Sequence, residues 1–479
     1  MPRYQEAIKL NKRNTLLIIA SLFAFVFSYF SLAQANYAYA FFPVVILGAV
    51  AVLILIFREP FNGLIITIAY CFLMGILDRE IGGLPYGMGI EVFLLLTWLS
   101  VWYHADKFGF KVLNNDLIWL TVVWFVISVL ELFNLAGASP RGWLQEIRST
   151  ALYPMLITPL GVLLINTNKR LNIFIILIFS LSFLATLNGI KQAKIGPTSG
   201  EQAFLDNGGY VTHVIFGHLR IFSFFSDASQ FGPSQAHIAL MAIVLALSLR
   251  LSWGKRILLL ILGLLSFYGM LISGTRGALF VIAFGVIMVI ALSKRLKILI
   301  WGSSIALFFF CILKFTYIGN SNYDIYRLRT SINPEDASFN VRLINQNKIA
   351  EYMQGKPFGG GLGVIGHWGR EYNKDKYLST IAPDSYWVKV WAMYGIVGFV
   401  IFFCIWLYWF GKCSGLLWNL KERQIRTKLI ALLAGVAGIF VCSYGNEVMN
   451  AMPSLIVIHL SLGAVYAFSR IYKEKLTDK

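Results

Sequence analysis

Long apolar runs, interrupted by short polar and basic connections, set the pattern of this chain. A membrane-spanning helix needs roughly 17–25 predominantly apolar residues. Runs of that kind fall at 14–34, 37–57, 61–77, 88–103, 116–134, 150–166, 171–189, 233–252, 257–273, 277–293, 297–317, 386–410, 428–446 and 450–470. They are far longer than the strands of an outer-membrane barrel. The pattern predicts an all-α polytopic membrane protein with about 14 transmembrane helices, forming a single transmembrane domain over 1–479. Two stretches break the rhythm, 191–232 and 318–385. Connections of such length are uncommon in compact chains unless they are functional.

Composition agrees. Hydrophobic residues make up 58%, charged residues 13%, and mean hydropathy is +0.69. So few charges cannot cover so much apolar surface in water, which excludes a soluble enzyme and a disordered chain. The net charge of +18 would suggest nucleic acid in a soluble protein. Here its placement explains it. Of the 41 basic residues, 24 lie in alternate loops or termini, among them Arg58, Lys107, Arg170, Arg256, Lys294, Lys412, Arg426 and Arg470. The short loops of the other set are nearly bare. The positive-inside rule then predicts cytoplasmic termini and places both long loops on the outer face of the membrane. Most of the remaining basic residues sit in those two loops. The first apolar run, followed by Ala38-Tyr39-Ala40, resembles a signal peptide but exceeds the usual h-region of about 7–15 residues. We read it as a retained helix. Five cysteines without a CxxC pair point to neither disulfides nor a cysteine metal site. Glu91, Asp116, Glu131 and Glu447 fall near span ends, which weighs against an ion-coupled transporter.

Five segments carry candidate chemistry. Ser273-Gly274-Thr275-Arg276-Gly277-Ala278-Leu279 forms a tight outer hairpin between two spans. Arg276 there either snorkels to headgroups or meets a diphosphate, whose oxygens a guanidinium matches bidentately. Residues 217–232, GHLRIFSFFSDASQFG, lead into a span and hold His218, Arg220 and Asp227 in an aromatic setting. Arg220 and Asp227 are either a loop-fixing pair or ligand groups, and the aromatic stripe is read as packing. Residues 338–354 read as an amphipathic helix stopped by Gly355 and Pro357. At about 100° per residue, Phe339, Leu343, Ile349, Ala350 and Met353 share an apolar arc that also contains Arg342 and Gln346. A buried arginine needs a partner, internal or bound. The run Pro357–Gly363, PFGGGLG, fits neither a Walker loop nor a dinucleotide fingerprint and is read as backbone close to a ligand or a span. Finally, Asp384 stands where the second loop enters its span. It is either a general base with a raised pKa or a helix N-cap. His213, His218 and His367 are rival bases. No DxD pair occurs, so no cofactor and no divalent metal is required.

The SGTRGAL hairpin, the RIFSFFSDASQFG lead-in, the FNVRL…KPFGGGLG segment and the DSYW…YGIVG span start occur in this order over about 205–400. Together they resemble the O-antigen ligase/O-antigen polymerase superfamily. The resemblance implies a C-type membrane glycosyltransferase fold. It implies a lipid-embedded enzyme of the bacterial inner membrane that, at the periplasmic face, transfers glycan from an undecaprenyl-diphosphate-linked oligosaccharide, by a metal-independent inverting reaction, to an acceptor glycan or lipid A core. It also implies that Arg220, Arg276 and Arg342 hold the diphosphate and that Asp384 serves as base. Ligases of the superfamily carry a His-Asn pair where this chain has Pro383-Asp384. That departure tilts the reading toward a polymerase, with a ligase as the alternative and a lipid or polysaccharide transporter as the further one.

Overall fold

The computed structural model describes residues 42–294 apart from Phe216, residues 337–477, and scattered positions at 26, 29 and between 300 and 329. The spans expected at 14–34 and 297–317, and the start of the second loop, lie outside the described residues. The described elements are helical, apart from one two-residue hairpin, Val214–Ile215 with His218–Leu219.

Ten described helices are long and apolar enough to cross a membrane, and Pro43–Arg58 and Ala278–Leu292 are shorter apolar helices. These twelve match twelve of the expected runs. The two shortest runs lengthen to Pro60–Ile81 and Tyr86–Tyr103. The run expected at 150–166 begins earlier, at Pro140, with Ser139 capping Gly142. Arg141, Glu146 and Arg148 lie in this added turn, ahead of the apolar run. In the structure Arg148 meets Glu91, and Glu146 is buried beside a lysine described below.

The described residues fall into two compact units. In one, bounded by Gly63 and by Leu95–Ala105, Ser100 Oγ donates to the Ile56 carbonyl at 2.6 Å. A Cβ on Gly63 would lie 2.7 Å from Thr97 Oγ1, so only glycine allows this approach. The other unit comprises Leu64–Leu94 and Asp106–Lys479. Its interior is formed by Ala228–Ser248 against Trp253–Ile272, Ala278–Leu292 against Arg423–Cys442, and Tyr153–Leu164 against Ser454–Thr477. Gly161 and Gly463 let the last pair approach closely: a Cβ on either would lie within 3.1 Å of the partner helix's backbone.

The basic helix ends of this unit gather together. Lys412 pairs with Asp116 at 2.8 Å, and Lys428 donates to Asn168 and Asn172 at 2.9 and 2.7 Å. Lys294 donates to the Trp418 carbonyl. We expect a cysteine at exposed Thr380 to react with an impermeant thiol reagent in intact spheroplasts, and one at exposed Lys421 to react only after lysis. Ser379, its neighbour, is buried and unsuited to such a reporter. The reverse labelling pattern would invert the topology.

The first long loop is folded. Thr198 and Glu201 form a reciprocal capping box at the helix Ser199–Phe204. Arg79 clamps the following chain: it donates to the carbonyls of Phe225, at 2.7 Å, and Ser223, and its guanidinium lies 4.8 Å from the Phe222 ring centre. Phe222, Phe225 and Phe231 are fully buried, so the aromatic stripe is packing. In the second loop the glycine run lies against the span Tyr386–Asn419 where that helix breaks, at Gly395 with φ 68°. Gly360 and Gly361 donate to the carbonyls of Ala392 and Met393, at 2.9 and 3.0 Å. A Cβ on Gly359 would collide with Met393 O at 2.4 Å. Of the two expectations for this run, the span is the one that holds.

Candidate active site

The motifs interlock at the end of the second unit opposite its basic helix ends. The hairpin Ser273–Gly277 joins Trp253–Ile272 to Ala278–Leu292. Its first side faces the first loop. Arg220 donates to Thr275 Oγ1 and to the Thr212 carbonyl, both at 3.1 Å, and Arg327 donates to the Gly274 carbonyl at 3.3 Å. A Cβ on Gly232, from the span lead-in, would press on Ser273 Oγ at 2.3 Å. The hairpin's other side faces the turn after Arg423–Cys442. A Cβ on Gly277 would lie 2.2 Å from Asn446 Nδ2. Glycine at both positions is a requirement of interlocking loops. Arg276, half-buried, stands between them.

The turn 442–447 carries the contact onward. A Cβ on Gly445 would lie 3.6 Å from Arg342 Nη1. Arg342 sits on the helix Ala337–Tyr352, whose buried side contains Ile349 and Met353 and whose half-buried positions include Arg342, Asn345 and Gln346. The expected arc is therefore rotated toward Arg342: Leu343 and Ala350, assigned to it, are exposed. Asn345 donates to the Ala382 carbonyl at 3.2 Å and fixes this helix to the segment before Asp384.

Asp384 is not the helix cap. Ser385, fully buried, accepts from the Val388 amide and caps Tyr386–Asn419. Tyr386 N donates to the Ser443 carbonyl at 2.9 Å. Held on both sides, Asp384 adopts a left-handed backbone with φ 47° and is exposed. Asp and Asn tolerate this conformation better than most residues, and such positions cluster at functional sites. Crowding by protein raises the Asp384 carboxyl above the usual aspartate range. Arg342 opposes that shift, Glu447 adds to it, and Arg370 opposes it more weakly.

Next to Asp384 in the fold, through Glu447, is an ionic group that hydropathy alone does not reveal. Lys389, on the first turn of its span, contacts Glu146 at 3.0 Å and Glu447 at 2.9 Å. Lys389 and Glu146 are buried and Glu447 is part-exposed. The available signal was a lysine four residues past Ser385 in an apolar run: a charge inside a span demands a partner of opposite sign. A Cβ on Gly366 would touch both Lys389 and Glu447, and Gly366 begins the short helix that bears His367 and Arg370, both exposed.

The remaining candidates gather on the first loop. Asp227 caps Ala228–Ser248 through the Ser229 amide at 2.5 Å and lies 3.5 Å from His213 Nε2. His213 is buried between Phe204 and Phe222, and that burial lowers its pKa, against the pull of Asp227. His218 is exposed on the hairpin. The structure thus joins Arg342 to Asp384, and Arg220 to the hairpin of Arg276. Asp227 serves as a helix cap.

A multi-pass helical membrane protein, with arginines and a carboxylate collected at one end of its bundle, is the class that fold and site define. The family model described as O-antigen ligase matches residues 260–403, and the resemblance read from the motifs holds over that segment. A protein of Salmonella muenchen described as an O-antigen polymerase is 26% identical over 331 residues, covering 64% of this chain and 77% of the relative. Over these residues the chain is similar to membrane proteins of the O-antigen ligase/polymerase kind.

Proposed function

We propose that this protein is a periplasmic-face glycan polymerase. It transfers glycan from undecaprenyl diphosphate to the sugar hydroxyl of an acceptor chain. The observation that carries the reading is Asp384 itself, exposed, in a left-handed backbone conformation and free of any capping role, within the electrostatic reach of Arg342, Arg370 and Glu447. Asp384 takes the proton of the acceptor hydroxyl as its oxygen attacks the anomeric carbon. The anomeric C–O bond to diphosphate breaks, and the diphosphate leaves with the electron pair. Arg220, Arg276 and Arg342 neutralise that developing charge, an effect that typically dominates such catalysis. Direct displacement inverts the anomeric centre. The Pro383-Asp384 sequence and the relative's description support a polymerase. The O-antigen ligase family match supports the second reading, transfer to lipid A core.

The deciding experiment incubates purified protein with carrier-linked repeat units, with and without lipid A core. Ladders of repeats without core establish the polymerase. Product formed only with core establishes the ligase, and none in either mixture removes both readings.

If Arg276 and Arg342 grip diphosphate, Arg→Lys is nearly as harmful as Arg→Ala, because lysine keeps the charge and loses the fork. Each change lowers the transfer rate by about 30- to 1,000-fold, or roughly 2–4 kcal/mol. Full activity in both lysine variants, at normal expression, would assign these side chains to headgroups.

The pH dependence follows from the neighbours of Asp384. A base acts ionised, so the rate falls as pH drops through its raised pKa, above the ordinary aspartate value of about 3.9. Arg342→Gln removes a stabilising cation and moves this acid limb to higher pH. Glu447→Gln removes a like charge and moves it lower. Identical limbs in wild type and both variants would place the titration elsewhere.

A further inference from the structure

At the basic end of the second unit, at the ends of three spans opposite those that carry the candidate motifs, a cavity of ≈ 100 Å³ opens between Ala228–Ser248, Ala278–Leu292 and Arg423–Cys442. Its walls divide by chemistry. Arg423, Arg426, Thr427 and Ser293 form a polar, cationic part, and Leu247 and Val289 belong to the apolar part. Among the described residues no acidic one lines it; Glu422, the residue before the helix, stands outside the lining. Arg426 is half-buried and holds the Leu420 carbonyl at 3.4 Å, which leaves most of its guanidinium donors for another acceptor. Arg423 is exposed at the start of its helix, where the first-turn amides add positive potential. Leu247, 69% exposed, continues the apolar wall toward the lipid-facing surface.

A hydroxyl-and-guanidinium corner beside an apolar wall, at the membrane boundary of a multi-pass protein, has the chemistry of a lipid phosphate with its acyl chains alongside. Basic recesses between spans bind acidic headgroups on this principle. We propose that the cavity is a binding site for an anionic phospholipid of the leaflet that meets the basic end of the bundle. The phosphate lies between Arg423 and Arg426, and an acyl chain runs along Leu247 and Val289. This site is separate from the proposed carrier site and independent of the polymerase reading.

The test is native mass spectrometry of the detergent-purified protein exposed to phosphatidylglycerol or to phosphatidylcholine. Wild type should retain phosphatidylglycerol selectively. Arg423→Ala/Arg426→Ala should lose about 30-fold in affinity, at roughly five-fold per charge. Lys421→Ala, outside the cavity, should lose less than about two-fold, whereas a diffuse attraction would cost it the full single-charge factor. Arg423→Lys/Arg426→Lys keeps both charges and should retain binding within about ten-fold, which guards against a folding defect in the alanine variant. Inorganic phosphate at millimolar concentration should not displace the lipid. Displacement by phosphate would assign the cavity to a free anion. Equal retention of both lipids, or equal losses in the cavity and Lys421 variants, would reduce the attraction to a diffuse surface effect and overturn the proposal.

Discussion

Asp384→Asn is expected to abolish glycan transfer while carrier binding and expression stay near wild type. The substitution is informative because so little else changes. Ser385, not Asp384, caps the span, so the helix start keeps its hydrogen bond to the Val388 amide. Asparagine adopts the left-handed backbone of φ 47° about as readily as aspartate. It also has nearly the same size. Only the proton acceptor is lost. For a general base the expected fall is about 10²- to 10⁴-fold. Asp384→Ala combines that loss with backbone strain on the order of 1 kcal/mol, so its stability should drop where that of the asparagine variant does not. Transfer rate, carrier affinity and melting temperature for both variants form the measurement. An asparagine variant with more than about a tenth of wild-type rate, a smaller loss than general bases show, would remove Asp384 as base. His367, on the short helix that begins against Glu447, is then the next residue to test, ahead of buried His213.

Lys389→Met should produce the largest stability effect. The lysine lies between Glu146 and Glu447, at 3.0 and 2.9 Å, and the glutamate on its inner side is buried. Removing the cation leaves a buried carboxylate with its counter-ion gone. Breaking such a pair typically costs about 3–5 kcal/mol. We expect a sharply lower melting temperature and poor membrane yield. Adding Glu146→Gln to that variant should restore much of the loss, because the uncompensated charge is then gone. If Lys389→Met melts as the wild type does, the ionic group contributes little and its role in holding this end of the span must be withdrawn. Glu447 links the group to function: it contacts Lys389 on one side and raises Asp384 on the other.

The sequence by itself determined the architecture. Lipid exposure demands long apolar runs, and every described span coincides with one. Its alternating basic loops match the helix ends that the structure gathers together, as Lys412 with Asp116 and Lys428 with Asn168 and Asn172 illustrate. The hairpin, the amphipathic helix with Arg342 on its inner side, and the placement of Asp384 were also legible, because each is a local pattern. Partners were not. That Ser385 caps while Asp384 turns outward depends on the Ser443 carbonyl, 58 residues later. Glu146 precedes the apolar run of its helix, and only the fold supplies Lys389, from a distant span, to neutralise it. Arg79 belongs to a helix end in sequence, yet it clamps Ser223 and Phe225, about 145 residues away. The glycine run was ambiguous for the same reason: its amides are satisfied by carbonyls exposed at the break of another helix. Hydropathy records what each segment presents to lipid. Which charge meets which across the bundle is a matter of three-dimensional adjacency, and tertiary packing alone decided it.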